Sequence, residues 1–146
     1  MIILDSDHFT LFMLGHAQVV RRGYQRSEEG VAISIITVEE ELSGWYTQLR
    51  KAGSAEKLTR AYAGMYRAVQ HFKLLELIPF SPDAMQRFDQ LRKSHQRIGR
   101  MDLAIAAIAL EFNATLVTRN LIDFEQIPGL KIEDWSQPES GDADHA

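Results

Sequence analysis

The amino-acid sequence predicts an α/β sandwich with a mostly parallel central sheet. Three observations support this fold class: short apolar runs rich in β-branched residues, amphipathic helical stretches between them, and one helical stretch that is apolar on every side. Parallel strands are buried on both faces and are joined by helical crossovers, which matches this alternation. Because ligands bind beyond the carboxyl ends of such strands, we expect any active site at that edge of the sheet.

The apolar stretch, residues 98–112 (IGRMDLAIAAIALEF), predicts a helix that is buried on most of its sides. A single carboxylate, Asp102, lies in its first turn. A buried carboxylate usually has a partner, a bound metal or a raised pKa, because an unpaired charge is costly to bury. Capping the helix and favouring the positive end of its dipole is the alternative explanation for Asp102.

The remaining elements alternate along the chain. We predict strands over residues 2–4, 31–36, 74–80, 115–117 and 130–132. The stretches between them predict helices whose N-terminal caps are Ser6 or Asp7, Thr37, Ser54 and Ser81. Asn113 is predicted to end the apolar helix in a left-handed conformation.

Composition and charge exclude several classes of protein. The chain has 146 residues, 45% of them hydrophobic, which predicts one domain with a substantial core. It contains no cysteine, so there is no disulfide framework and no thiolate metal site. The net charge of -4 argues against a protein that coats nucleic acid without specificity.

The ends of the chain and its local charge add further expectations. No apolar run reaches the roughly 18 residues of a membrane span, and the chain begins directly with a strand-like MIILD, so we expect a cytoplasmic protein. Residues 137–146 are polar and acidic and are expected to form a disordered tail after a domain over residues 1–136. The basic residues of 91–100 lead into Asp102 and could serve nucleic acid locally or simply form a solvated helix end.

Four acids are predicted to meet at the carboxyl edge of the sheet. Asp5 follows the first strand, Glu40 follows the second, Asp102 begins the apolar helix, and Asp123 follows the strand at 115–117. Carboxylates brought together repel one another, and a divalent cation neutralises them. An all-oxygen set of ligands suits Mg²⁺ or Mn²⁺ better than zinc.

Each acid also has an ordinary structural explanation. Asp5 could close a turn between strand and helix, and Asp123 could cap a helix. Glu40 could be the N3 partner of Thr37 in a capping box that covers residues 37–40. The metal-site hypothesis therefore depends on the predicted topology, which is needed to bring the acids together.

Four blocks of sequence resemble a known family. The blocks LDSD, ISIITVEEELSG, IGRMDLAIAAIAL and ATLVTRNLIDFEQIPGLKIEDW resemble the PIN-domain ribonucleases, specifically the VapC-type toxins of bacterial toxin–antitoxin pairs. The resemblance extends to Trp135, and the last block is its most specific part. It implies a PIN-like three-layer α/β/α sandwich over residues 1–136. It also matches Asp5, Glu40 and Asp102 to three invariant acids of the family.

The fourth acid of the family falls on Asn120, which is often Asp in relatives, with Asp123 nearby. By this resemblance Asp5 and Asp102 would bind Mg²⁺, for which Mn²⁺ can substitute. Glu40 and Asp123 would hold the ion directly or through water. We therefore expect Asp123 to supply the missing charge and Asn120 to contribute its carbonyl oxygen.

The implied activity is hydrolysis of RNA phosphodiester bonds, with tRNA as one candidate substrate. Thr118 is expected to hydrogen-bond a ligand or to cap the following turn. Arg100 and Arg119 flank the acids and either bind RNA phosphates or are solvated surface residues.

The resemblance also implies protein partners. A VapB-like antitoxin would insert a basic side chain among the acids, and the toxin would form a homodimer. We expect both contacts to use exposed apolar side chains among Phe9, Phe12, Leu14, Trp45, Tyr46 and Leu49.

Two other functions compete with this interpretation. The D-x-D of Asp5 and Asp7 at the end of a first strand fits a haloacid-dehalogenase-like phosphatase, but the sequence lacks the remaining blocks of that site. A catalytically inactive PIN-fold binding protein is the second alternative, and the intact Asp5, Glu40 and Asp102 argue against it. His8, the histidine next to these acids in sequence, is interpreted as structural.

Overall fold

A computed structural model describes residues 1–139 and shows five strands between two layers of helices. The strands are β1 (Ile2–Leu4), β2 (Val31–Ser34), β3 (Glu76–Ile78), β4 (Thr115–Val117) and β5 (Lys131–Glu133). The helices are α1 (Ser6–Met13), α2 (Ala17–Gln25), α3 (Ile35–Lys51), α4 (Ala55–Phe72), α5 (Pro82–Ser94), α6 (Arg100–Glu111) and α7 (Leu121–Phe124). A 3₁₀ turn at Ser27–Glu29 precedes β2.

The strands form one sheet in the order β3-β2-β1-β4-β5, and every neighbouring pair is parallel. The register places Leu4 of β1 beside Ile33 of β2 and Val117 of β4. The three central strands therefore end at the same level, and the residues that follow them leave from one edge. The predicted α/β sandwich with a parallel sheet is confirmed.

Alternation along the strands builds two cores, one on each face of the sheet. Ile3 and Leu116 face a core that is completed by α5, α6 and the end of α7. Ile2 and Ile33 face a second core that is completed by α1, α2 and the end of α4. Residues 103–109 of α6 are all buried, as the apolar pattern predicted. Fully burying an Ile side chain contributes roughly 1.5–3 kcal/mol, so this helix is a major source of stability.

Two predicted helix starts are wrong. Strand β2 stops at Ser34, which caps α3 by accepting a hydrogen bond from the backbone N–H of Thr37 at 3.4 Å. The predicted capping box of Thr37 and Glu40 is therefore absent, and Glu40 lies in the second turn of the helix. Helix α1 is capped by Asp5 instead of Ser6 or Asp7. In both cases the observed cap is the last paired residue of the strand or the residue after it, one to three residues before the predicted cap.

Three other predicted helix ends are confirmed. Ser54 and Ser81 cap α4 and α5, and Asn113 has the predicted left-handed conformation with φ of 50°.

Phe9 was expected at the surface, but this is wrong: its ring is fully buried and stacks on Phe72 with the ring centroids 5.4 Å apart.

The proposed division at residue 136 stays a prediction. Residues 140–146 of the expected tail lie outside the described part of the chain. Within residues 1–139, no helix has both the length and the apolar character needed to cross a membrane.

Candidate metal and catalytic site

Asp5 occupies the junction between β1 and α1. Its Oδ1 accepts a hydrogen bond from the backbone N–H of His8 at 2.8 Å, and the same oxygen lies 3.3 Å from His8 Nδ1. Asp5 is thus the N-cap of α1 and is only 8% exposed. Asp5 Oδ2 makes no hydrogen bond within residues 1–139. Asp5 can therefore cap the helix through Oδ1 and still offer Oδ2 to a ligand at the carboxyl edge.

Glu40 is joined to the start of α1 by a pair of hydroxyl groups. Ser6 Oγ donates to Glu40 Oε1 at 2.9 Å and lies 3.1 Å from Thr37 Oγ1. Residues three apart on a helix lie on one side of it, so Thr37 and Glu40 both reach Ser6. Neither Ser6 nor Thr37 was predicted to belong to the site. Their positions, one residue after Asp5 and one turn before Glu40, are the signal that could have found them.

Asp102 meets the segment after β4 through Asn120. Gly99 is the N-cap of α6, so Asp102 is not the cap of its helix. Its Oδ2 accepts a hydrogen bond from Asn120 Nδ2 at 3.3 Å, and the same nitrogen donates to Asp123 Oδ2 at 2.9 Å. The amide nitrogen of Asn120 therefore joins the two carboxylates, whereas its carbonyl oxygen was the predicted ligand of the metal.

Thr118 holds this segment in place. Its side chain is buried, and its Oγ1 accepts a hydrogen bond from the backbone N–H of Asn120 at 3.0 Å. Its own N–H donates to the carbonyl of Glu133 at 2.8 Å, which extends the contact between β4 and β5. The end of the sheet therefore fixes Thr118, and Thr118 in turn fixes the backbone of Asn120.

The acids interact electrostatically across these elements. Burial raises the pKa of Asp102 above its usual value, and the charges of Asp5, Asp123 and Asp7 raise it further, while the hydrogen bond from Asn120 opposes the rise. Burial also raises the pKa of Glu40, with added contributions from Asp102, Asp5 and Asp7, against the hydrogen bond from Ser6. The four predicted acids therefore do converge on one region.

The donor set fits a hard divalent cation. All of the converging side chains offer oxygen, which suits Mg²⁺ or Mn²⁺, and their mutual repulsion would be relieved by a positive ion. Within residues 1–139, however, no group of three or more His, Asp or Glu side chains is already spaced as a set of metal ligands. Binding would therefore require the carboxylates to move closer together around the ion.

The two flanking arginines lie at the rim of the acidic region. Arg119 is 3.5 Å from Asp7, and Arg100 is 3.6 Å from Glu39, measured between guanidinium nitrogen and carboxylate oxygen. All four side chains are substantially exposed, so these contacts are weak. Beside Glu40 a groove of about 280 Å³ runs along α3 and is lined by Glu41, Gly44, Trp45 and Gln48.

Two VapC proteins are similar in sequence to this chain. The chain is 40% identical over 67 residues to the ribonuclease VapC2 of Rickettsia felis, covering 43% of this chain and 50% of that protein. It thus spans about half the length of this curated relative. It is 26% identical over 137 residues to the tRNA(fMet)-specific endonuclease VapC of Salmonella typhimurium, covering 91% of this chain and 96% of the relative. No protein-family profile matches the chain.

The fold is similar to that of a solved toxin–antitoxin complex. The crystal structure of VapBC2 from Rickettsia felis, bound to a DNA fragment from its promoter, contains a chain that superposes with a TM-score of 0.76 at 27% identity. The superposition covers 92% of this chain and 99% of that one. Sequence and fold together confirm the predicted resemblance of this chain to the VapC-type PIN-domain ribonucleases.

Proposed function

We propose that this chain is a divalent-metal-dependent endoribonuclease that acts as the toxin of a VapBC-type pair. The observation that carries the proposal is the convergence of Asp5, Glu40, Asp102 and Asp123 at the carboxyl edge of the sheet. Among residues 1–139, no lysine or arginine forms an ion pair with any of the four. The similarity to VapC ribonucleases supports RNA as the substrate.

The resemblance to VapC-type ribonucleases supports a role for each acid. Asp5 and Asp102 would be the principal ligands for Mg²⁺, and Glu40 and Asp123 would complete the site directly or through water. When bound, the cation lowers the pKa of a water molecule and offsets the charge that develops on the phosphate. Ser6 orients Glu40 through its hydroxyl, and Asn120 orients Asp102 and Asp123. Glu40, Asp102 and Asp123 are partly buried, which limits the access of bulk water to the site.

RNA phosphates are the groups that the rim arginines can bind. Arg100 and Arg119 are exposed on either side of the acids, and each makes a long contact with an exposed carboxylate. An incoming phosphate can replace such a contact at little cost. Guanidinium groups bind phosphates through two parallel hydrogen bonds and would hold the RNA backbone while the acids act on one phosphodiester.

The nuclease proposal is tested by removing the metal. Full-length protein is incubated with tRNA and with unstructured RNA, in Mg²⁺ and in excess EDTA. We expect cleavage in Mg²⁺, loss of cleavage in EDTA and recovery with Mn²⁺. The control is Asp5→Asn purified in the same way, since Asn preserves the helix cap and removes the charge. Cleavage that persists at full rate in EDTA contradicts the proposal.

The toxin proposal includes a VapB-like antitoxin and a homodimer. The solved VapBC2 complex supports the antitoxin, and the exposed Leu14 and Tyr46 offer apolar contact area. Expression of the parent is expected to arrest growth, whereas Asp5→Asn is tolerated and co-expression of a cognate VapB-like antitoxin restores growth. Light scattering after size exclusion tests the dimer. Equal toxicity of the parent and Asp5→Asn contradicts a nuclease toxin.

The phosphatase alternative has less support. It requires the second acid of the D-x-D to work beside the first, but the Asp7 side chain is 68% exposed and contacts Arg119. The relatives named above are nucleases or nuclease–antitoxin complexes. A stable beryllofluoride adduct of Asp5, which mimics a phosphoaspartate, would reverse this preference.

A further inference from the structure

His8 is a fully buried imidazole that connects the acidic site to the C-terminal segment. Its Nδ1 lies 3.3 Å from Asp5 Oδ1, and its Nε2 lies 3.2 Å from the backbone nitrogen of Trp135. The ring is 0% exposed, so water does not compete for either nitrogen. Both ring nitrogens therefore depend on protein partners.

The partners determine which ring nitrogen carries the proton. The backbone N–H of Trp135 can only donate, so Nε2 accepts and has no proton of its own. The ring proton is then on Nδ1, which donates to Asp5 Oδ1. The same oxygen accepts from the backbone N–H of His8, so a single residue directs two donors at it. These two bonds restrict the rotation of the carboxylate and leave Oδ2 for a ligand.

A carboxylate also approaches Nε2 but is already occupied. Asp134 Oδ1 lies 3.4 Å from Nε2. That oxygen accepts two shorter hydrogen bonds from Ser136, one from the backbone N at 2.8 Å and one from Oγ at 2.6 Å. The Trp135 amide is therefore the better-placed partner of Nε2, and Asp134 is the alternative that would require a proton there.

The C-terminal segment that holds His8 is itself anchored. The Trp135 ring is buried, its Nε1 donates to Glu133 at 3.1 Å, and the Arg26 guanidinium lies over the ring at 5.7 Å. Arg22 donates to the carbonyl of Asp134 at 2.9 Å. The backbone N–H of Trp135 is thus fixed without help from His8.

We propose that His8 is a positioning residue that fixes the Asp5 carboxylate for metal binding and ties this site to the C-terminal segment. This inference rests on the proposed metal-dependent nuclease. Hydrogen-bond partners of a ligating carboxylate orient it, and their removal typically weakens metal affinity or activity by about 10- to 100-fold. His8 acts on the reaction only through Asp5.

Mn²⁺ binding to the full chain, measured by calorimetry, separates this role from simple core packing. We expect His8→Phe, which fills the space without donating, to raise the dissociation constant about tenfold. His8→Asn places an amide donor near the position of Nδ1 and should stay within about threefold of the parent. Phe72→Leu, which trims the same core without touching an acid, is the matched control and should bind Mn²⁺ as the parent does.

A second measurement needs no metal. In ¹⁵N-edited spectra of the metal-free protein, the His8 ring is expected to carry its proton on Nδ1. If His8→Phe does not fold, His8→Gln replaces it, because its amide reaches toward Trp135 and not toward Asp5. A proton on Nε2, or a His8→Phe protein that binds Mn²⁺ as tightly as the parent, would overturn the positioning role of His8. Either result would leave the proposed nuclease function standing. A parent that binds no Mn²⁺ overturns the proposed function and the positioning role with it.

Discussion

Two groups of acids on this molecule differ in whether arginine side chains accompany them. In the C-terminal group, Arg26 pairs with Glu29 and Glu133, while Arg22 binds the carbonyls of Asp134 and Gln137. In the site group, Asp5, Glu40, Asp102 and Asp123 have no lysine or arginine partner among residues 1–139. The first group carries its own cations, and the second is left without them.

The pKa directions express the same difference. The hydrogen bond from Arg26 lowers the pKa of Glu29. In turn, Glu29 and Glu133 raise the pKa of Arg26. In the site group, burial and neighbouring acids raise the pKa of Asp102 and Glu40. An acid that is held by a cation stabilises the fold, whereas an acid that is crowded by other acids is prepared for a ligand.

Neutralising one acid in each group should separate their roles most strongly. Asp102→Asn keeps an acceptor for Asn120 but removes a charge that the proposed cation needs, so RNA cleavage should fall by more than about 100-fold. Glu29→Gln, in the arginine-paired group, should leave cleavage within about twofold. Single-turnover cleavage rates measure both. Equal losses in the two variants would remove the distinction between the groups.

Removing a cation from the C-terminal group should cost stability instead of activity. Arg22 is 9% exposed, and Arg22→Met keeps much of its length while leaving two carbonyls without their donor. We expect a loss of about 1–3 kcal/mol in the free energy of unfolding. Arg60→Met breaks only the exposed pair with Glu56 and should cost less than about 1 kcal/mol. Urea unfolding compares the two variants, and similar losses would contradict a structural role for Arg22.

The pH dependence of stability should have the opposite sign to that of an ordinary ion pair. Because the pKa of Asp102 is raised in the folded state, the folded protein binds this proton more tightly than the unfolded chain. The contribution of Asp102 to stability therefore falls as pH rises above about 4, the unfolded value, and is fully lost above the raised pKa.

Thermal melts of the metal-free protein check this sign. Asp102→Asn should melt at a higher temperature than the parent at neutral pH, because the variant lacks the charge that burial and the neighbouring acids disfavour. The difference in melting temperature between the variant and the parent should become smaller toward pH 4. Mn²⁺ should stabilise the parent more than the variant. A gap that widens as the pH falls would contradict the raised pKa.

The smallest expected effect concerns the fourth acid. Asp123→Asn should weaken Mn²⁺ binding more than Asn120→Ala does, and Asn120→Asp should tighten it, because an added carboxylate strengthens a site for hard cations. Mn²⁺ titrations of the three variants make the comparison. If Asn120→Ala loses the metal while Asp123→Asn binds as the parent does, the assignment of the fourth ligand is reversed.

Much of the fold was predictable because local signals and the tertiary structure agree. The serine caps at Ser54 and Ser81, the left-handed Asn113 and the buried helix α6 all follow from patterns within a few residues. The starts of α1 and α3 were misplaced because several neighbouring residues could cap each helix. Pairing in the sheet ends each strand at a particular residue, and that residue or the next becomes the cap.

The parallel α/β sandwich and the acids that follow its strands could be predicted from residue patterns, because hydrophobic periodicity and residue type are local properties. The order of the strands and the groups that meet depend on tertiary packing. These groups include the hydroxyl pair that holds Glu40, the Asn120 amide between two carboxylates, and the pair of His8 and Trp135. His8 and Trp135 are far apart in the chain. Their contact depends on how the layers pack, which no local pattern encodes.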